Sequence, residues 1–365
     1  MKENTAMIHE TDFASNLSIV AWKSYESGNS ESAKALYKRA LRVLQRSKRK
    51  TDDENAAILL RLGCVLENNR EFAEASQCFQ RAYDLLANRT GEKRIHRLKV
   101  RALYHLGRIR RIQGVASEAE SLLKQAVDYA EENLGNHDLE SAFAMNQLGM
   151  YWRNAGQYHQ AKVLYYRALR ILEARLGPED EKVASVYHNL GDLEFARGRY
   201  KKGEPFARRA VLIRMKIHGP EHPDLAHDLA MLANLLQAQK KFYEAEKLYN
   251  RALCLIQSRY SIDHYEAGIY LFSLATLHLA RGEYQQAEWL FWQALTIKEK
   301  KLGANHTDCA QTALKLADLY KAQKKYEEAQ LLCHRALEIY ERILEPNHPQ
   351  LVYCRKNYEI LRASA

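Results

Sequence analysis

The chain has 365 residues, of which 47% are hydrophobic, with 16 glycines and only 6 prolines. That length suits two or three ordinary domains or one long repeat array, and the wealth of Ala, Leu, Glu, Lys and Arg favours helix nearly throughout. A net charge of +10 attracts acidic partners, nucleic acid or anionic membrane, but global charge governs encounter and solubility and locates no site. The opening MKENTAMIHETDFASN lacks the apolar core of a signal peptide, and no apolar run approaches a membrane span. The six cysteines form no CxxC and sit in apolar helical contexts, as small buried hydrophobes do in a reducing compartment. A cytoplasmic location is therefore expected.

Residues 1–12 read as a flexible leader, and the periodic part of the chain runs from 13 to 348. The alanine in YKRAL, QRAYD, KQAVD, YRALR, RRAVL, NRALC, WQALT and HRALE recurs as Ala40, Ala82, Ala126, Ala168, Ala210, Ala252, Ala294 and Ala336. Every step is 42 residues except one of 44. Seven residues earlier stands a second small residue: Ala33, Ala75, Ala119, Ala161, Gly203, Ala245, Ala287 or Ala329. A third marker is an apolar residue followed by a small one, as in Val20–Ala21, Leu62–Gly63, Leu106–Gly107, Leu148–Gly149, Leu190–Gly191, Leu232–Ala233, Leu274–Ala275 and Leu316–Ala317. Eight units in register are the signature of a repeat array.

Each unit holds two amphipathic segments. In the sixth, LAHDLAMLANLLQAQ is followed by Lys240–Lys241 and then FYEAEKLYNRALCLIQ, with apolar residues at three- and four-residue steps. Gly or Ala at the crossing lets two helix axes approach, and a bulky neighbour such as Tyr37, Phe79, Leu123, Tyr165, Tyr249 or Phe291 fills the remaining space. The 44-residue step falls around residues 89–96 (RTGEKRIH) and predicts a longer loop just before the basic stretch RLKVRALYHLGRIRR at 97–111. In the fifth unit Gly203, Pro205 and Ala207 depart from the pattern, so looser packing is expected there. Residues 349–365 continue the phase and predict a capping helix.

This small–large–small pattern on two antiparallel helices resembles the tetratricopeptide repeat. The 42-residue period, the loops LGPEDEKV, HGPEHPDL, SIDHYEAG, LGANHTDC and LEPNHPQL, and the phrases YHNLGDL and KKYEEAQ are similar to the kinesin light chain type of that repeat. The resemblance covers roughly residues 17 to 363. It implies an all-α fold, a right-handed superhelical solenoid of about eight helix-turn-helix repeats plus a C-terminal capping helix. First helices would line the concave groove and second helices the convex surface.

Catalytic chemistry is not expected. His222, His264, His306 and His348 recur one period apart, too far to share an ion, and read as loop residues before each first helix. His218 and His222 are four apart, but Gly219, Pro220 and Pro223 break any helix that would align them. No HExxH, GxSxG or phosphate-cradling glycine loop occurs. No enzyme, metal or cofactor is expected.

The resemblance places groove residues about −5, −2, +2 and +5 from the reference leucine. In the third repeat these are Arg101, Tyr104, Arg108 and Arg111, with Arg97 one turn earlier; Lys99 and Arg110 are left to solvent. The fourth adds Phe143, Asn146, Met150 and Arg153, with Asn154 beside them. The fifth adds Ser185, His188, Asp192 and Phe195, with Asn189 adjacent, and the sixth His227, Asn234 and Gln237. Arginine forks carboxylates, and asparagine can bond an extended backbone with both donor and acceptor. A protein scaffold or adaptor is expected, its groove taking an acidic peptide or partner helix with a bulky residue. The plain competing expectation is that these arginines are solvated or pair with acids such as Glu67 on the next unit. The alternative function is nucleic-acid binding by the basic surface around residues 93–111. Trp289, Trp292 and Leu331, on second helices, mark a possible convex interface or self-association surface.

Overall fold

The computed structural model describes residues 2–46, 52–260, 263–344, 346 and 348–364, with side chains from residue 12 to 363 among them. Its helices come in pairs. The first four are α1 (Lys2–Glu26) with α2 (Ser30–Arg46), α3 (Asp52–Asn68) with α4 (Phe72–Leu86), α5 (Lys93–Ile112) with α6 (Ala116–Leu134), and α7 (Leu139–Asn154) with α8 (Tyr158–Leu176). The next four are α9 (Glu181–Ala196) with α10 (Tyr200–His218), α11 (Leu225–Ala238) with α12 (Phe242–Arg259), α13 (Tyr265–Arg281) with α14 (Tyr284–Leu302), and α15 (Thr307–Ala322) with α16 (Tyr326–Ile343). A last helix, α17 (Pro349–Ser364), packs on α16. No strand occurs among the described residues, and none of their helices is long and apolar enough to cross a membrane. The first helix begins at Lys2, inside the stretch expected to be a flexible leader.

The chain divides into two compact units, Met1–Asn189 and Leu190–Ala365, and the division falls within α9. In the first unit α1 packs on α3, α3 on α5 and α5 on α7, so these first helices form one continuous face. In the second unit α11 packs on α13 and α13 on α15 in the same way.

The pairs close through small-against-large contacts sixteen residues apart. A Cβ added to Gly107 would lie 2.6 Å from Leu123 Cγ, and one added to Gly149 would lie 2.7 Å from the Tyr165 ring. Phe79 fills the same place over Gly63. Tyr37, Phe79, Leu123, Tyr165, Tyr249 and Phe291 are all buried, as their spacing predicts. In the fifth pair, where no ring fills the joint, the two helices still close on each other. There Gly191 faces Ala207 at 3.4–3.5 Å, and a Cβ on Gly203 would come within 2.7 Å of Leu235 and 3.0 Å of the Gly191 carbonyl. Small residues on both sides let the backbones close the gap that a missing ring would leave. Pro205 lies in the second turn of α10 and does not interrupt it.

The turn inside each pair has one recurrent backbone position in the left-handed region. Gly28, Gly114, Gly156, Gly198 and Gly282 occupy it, but so do Arg70, Lys240 and Lys324, at φ of 63 to 64°. The next residue's N–H reaches back to close the helix, as in Glu71 N to Leu66 O at 2.9 Å and Lys241 N to Leu236 O at 2.9 Å.

Candidate functional site

The basic stretch at 97–111 is the body of α5, and its cations do not share one environment. Arg97 donates to Asp138 from Nη2 at 2.8 Å and from Nε at 3.1 Å. Asp138 is itself the N-cap of α7, accepting the Glu140 N–H at 3.0 Å. Burial works against this carboxylate, but the bonds from Arg97 and the Glu140 backbone hold Asp138 below its ordinary pKa. Arg101 donates to Glu140 on α7, with Nε at 2.9 Å from Oε1. Arg108 pairs with Glu67 on α3. Glu67 is only 6% exposed; burial acts to raise its pKa, but the hydrogen bonds from His105 and Arg108 hold it low.

His105 completes this cluster. Its ring stacks on Phe79 at 4.6 Å, and its Nδ1 lies 3.4 Å from Glu67 while Nε2 lies 3.5 Å from the Cys64 sulfur. A neutral ring with the proton on Nδ1 satisfies both contacts, and burial pushes its pKa down to about 4. Cys64 is pushed up to about 11 by burial, so it is a packing thiol.

One expectation for this helix needs correction. Lys99 does not face solvent: it is 5% exposed, and its ammonium donates to the carbonyls of Ala87 at 3.1 Å and Arg89 at 2.8 Å, closing the end of α4. Both carbonyls belong to the 87–92 linker between α4 and α5, where the 44-residue step predicts extra length. Arg110 stands at the surface, where it pairs with exposed Glu118 at 2.9 Å. Arg111 differs from all of these. It is half-buried, makes no hydrogen bond or ion pair among the described residues, and its Nε is buried without a partner. Burial and the neighbouring Arg108 hold its pKa below the usual guanidinium value.

A cleft of about 550 Å³ opens beside Arg101 on the face of first helices in the first unit. Ile19 and Trp22 from α1, Leu60 and Cys64 from α3, Tyr104 from α5 and Phe143 from α7 wall it. Lys23, Arg61 and Lys182 stand around it with no acidic partner among the described residues; Arg61 bonds only the Ser18 hydroxyl, at 3.0 Å. Trp22 donates to Glu26 at 2.7 Å and stays 40% exposed. Of the expected groove residues, Arg101, Tyr104 and Phe143 line this cleft. The sequence reasoning missed Trp22, Leu60 and Cys64, although they lie +2 from Val20 and −2 and +2 from Leu62. The same offset rule, applied to the first two repeats, finds them.

The remaining expected residues fall as follows. Asn189 donates to Asn146 at 2.9 Å, which joins two neighbouring first helices by their amides. Arg153 donates to exposed Asn154 at 3.0 Å, and Met150 and His188 are partly exposed on the same helices. Asp192, exposed His227 and Asn234 belong to the second unit. There Asn234 accepts from Tyr249 at 2.6 Å and lines a separate cleft of about 460 Å³ with Phe195, Gln237 and Phe272. On the second helices Trp289 is 60% exposed, Trp292 41% and Leu331 73%. Of the periodic histidines, His222, His306 and His348 each accept, on Nδ1, the N–H of the residue two positions on, at 3.1 to 3.3 Å, and His306 is thereby the N-cap of α15.

Successive helix pairs, each closing a small residue under a large one, define an all-α helical-repeat protein. The chain belongs to the tetratricopeptide repeat family, whose pattern matches residues 99–174, 182–236 and 227–300, with related forms at 309–350 and 56–86. Repeats of this fold generally mediate protein–protein interaction. No curated protein sequence matches the chain. Among solved structures, the Rap protein complexed with competence and sporulation factor is 13% identical, with a TM-score of 0.59, covering 97% of this chain and 98% of that one. A signal transduction ATPase with numerous domains from Pyrococcus horikoshii, which carries a tetratricopeptide repeat sensor, is 15% identical with a TM-score of 0.58, covering 90% and 49%. A putative kinesin light chain from Podosopora anserina is 23% identical over 56% of this chain and 97% of that one, with a TM-score of 0.46. At these identities the likeness to the Rap protein and the signal transduction ATPase is one of fold alone.

Proposed function

We propose that the first-helix face of the first unit binds an acidic peptide or partner helix through a bulky apolar residue, making the protein a non-enzymatic scaffold or adaptor. The observation that carries this reading is the cleft itself: an apolar wall of Ile19, Trp22, Leu60, Tyr104 and Phe143 beside the unpaired cations Lys23, Arg61 and Lys182. An aromatic or branched side chain fills such a wall, and carboxylates beside it meet three cations, none of them paired with Glu26, the acid that also lines the cleft and accepts from Trp22. Arg111 supplies a fourth unpaired charge further along α5. The Asn146–Asn189 pair keeps amide donors free for an extended main chain. Nucleic-acid binding is the weaker alternative, because Arg97, Arg101, Arg108 and Arg110 are each engaged by an acid of the chain.

The test is a titration, followed by calorimetry, of synthetic acidic peptides with and without one aromatic residue. Binding that needs both features, and that weakens about tenfold or more on Trp22→Ala or on Arg61→Glu with Lys182→Glu, is the expected result. Equal binding of a neutral scrambled peptide sinks the proposal. Tight binding of an RNA or DNA oligomer with a steep salt slope, and none of the peptides, makes the alternative the function.

A further inference from the structure

The C-terminal pair of helices holds two thiols face to face. Cys333 on α16 and Cys354 on α17 are both 0% exposed. Each sulfur lies 3.6 Å from the other residue's backbone carbonyl, a reciprocal contact. The other four cysteines have no such neighbour: Cys309 lies against the Gly303 carbonyl at 3.4 Å, Cys254 is exposed, and Cys64 and Cys78 are half-buried in the first unit. The cross-helix pair sits where α17 is fastened, between the buried Leu351 and Leu361.

We propose that Cys333 and Cys354 are a modification site, a dithiol that a peroxide converts to a disulfide bolting α17 to α16. The Cys333 sulfur attacks one oxygen of hydrogen peroxide, the O–O bond breaks, and a sulfenic acid and one water form. The Cys354 sulfur then attacks the Cys333 sulfur, the S–O bond breaks, and the thiol proton leaves with the hydroxyl as a second water. Two thiols are oxidised and one peroxide is reduced, on helices that already meet here, each sulfur lying 3.6 Å from the other residue's carbonyl. The two contacts are reciprocal, so the same steps balance with Cys354 attacking first. A disulfide there closes a ring from 333 to 354, so α17 no longer opens independently of α16.

The full chain carrying Cys254→Ser, to remove the exposed thiol, is treated with hydrogen peroxide, quenched with an alkylating reagent and digested without reduction. The expected product is a linked peptide joining 333 to 354, reversed by dithiothreitol, with amide exchange in α17 slowed about tenfold or more. Alkylation of both thiols after peroxide, oxidation of either to sulfinic acid without the link, or a linked product in which α17 exchanges as fast as before overturns the proposal. The readout is on the native pair, so no folding-sensitive cysteine variant is needed.

Discussion

Arg108 and Glu67 hold each other across two neighbouring first helices, 41 residues apart in the chain, with His105 against the same carboxylate. The pair turns a cation that looked available to a ligand into a tie between the second and third repeats. Glu67→Ala would leave a largely buried guanidinium without its counter-charge and should cost about 2–3 kcal/mol, a value reduced for the part of Arg108 that water still reaches. Urea unfolding followed by circular dichroism measures it; an unchanged profile would show the pair to be ornamental.

Arg111 should behave in the opposite way. Its guanidinium is half-buried with no partner, so Arg111→Met removes a desolvated charge and should leave stability unchanged or raise it by up to about 1 kcal/mol. If the groove takes an acidic ligand, the same change weakens binding. Comparing thermal melts with peptide affinity for Arg111→Met and Arg108→Met separates the ligand-facing cation from the structural one.

Three turns carry a left-handed residue that is not glycine: Arg70, Lys240 and Lys324. A side chain there strains the backbone, while five sister turns use glycine at no steric cost. Arg70→Gly, Lys240→Gly and Lys324→Gly should each stabilise by about 0.5 kcal/mol, the relief being partly offset by the larger unfolded-state entropy of glycine. Their combined effect should appear as a higher melting temperature.

Gly149 and Gly191 occupy the same repeat position but should not tolerate alanine equally. At Gly149 the new methyl meets the Tyr165 ring at 2.7 Å, whereas at Gly191 it meets Ala207 at ordinary contact distance. Gly149→Ala should destabilise by about 1–3 kcal/mol, and Gly191→Ala should be neutral or stabilising through better helix propensity. Denaturant midpoints of the two variants decide the matter.

Acid should loosen the first unit in a defined window. His105 has its pKa depressed to about 4 in the fold against about 6.5 unfolded. Between those values the unfolded chain binds more protons, so the neutral ring's contribution is full above pH 6.5 and is lost as pH falls to about 4, by about 3 kcal/mol at most. From about pH 4.5 downward for Glu67 and about 3.8 for Asp138, both held low in the fold, protonation adds to the loss. Stability measured from pH 7.5 to 3.5 should show this slope, and His105→Gln should flatten its upper part.

Much of the architecture was legible because close packing of helix pairs imposes a period. Ala40 and its seven equivalents, and the glycines under Phe79, Leu123 and Tyr165, are fixed by the requirement that one axis approach another, which any repeat must meet. The offset rule from the leucine marker also reached Tyr104, Arg101 and Phe143 on the cleft, and it reaches Trp22, Leu60 and Cys64 when applied to the first two repeats. The fifth pair was less legible, since small residues on both sides read as looseness but close the gap by bringing backbones together.

The repeat, the paired helices, the small-against-large joints and the stripe on which charges stand follow from spacing along one chain. Which charges remain available is settled by how the helices stack. Lys99 turns inward to the end of α4, Arg97, Arg101 and Arg108 meet Asp138, Glu140 and Glu67 from neighbouring helices, and Arg111 is left without a counter-ion. A guanidinium's partner is chosen by distance in space, and residues some forty positions apart become neighbours only once the helices have stacked.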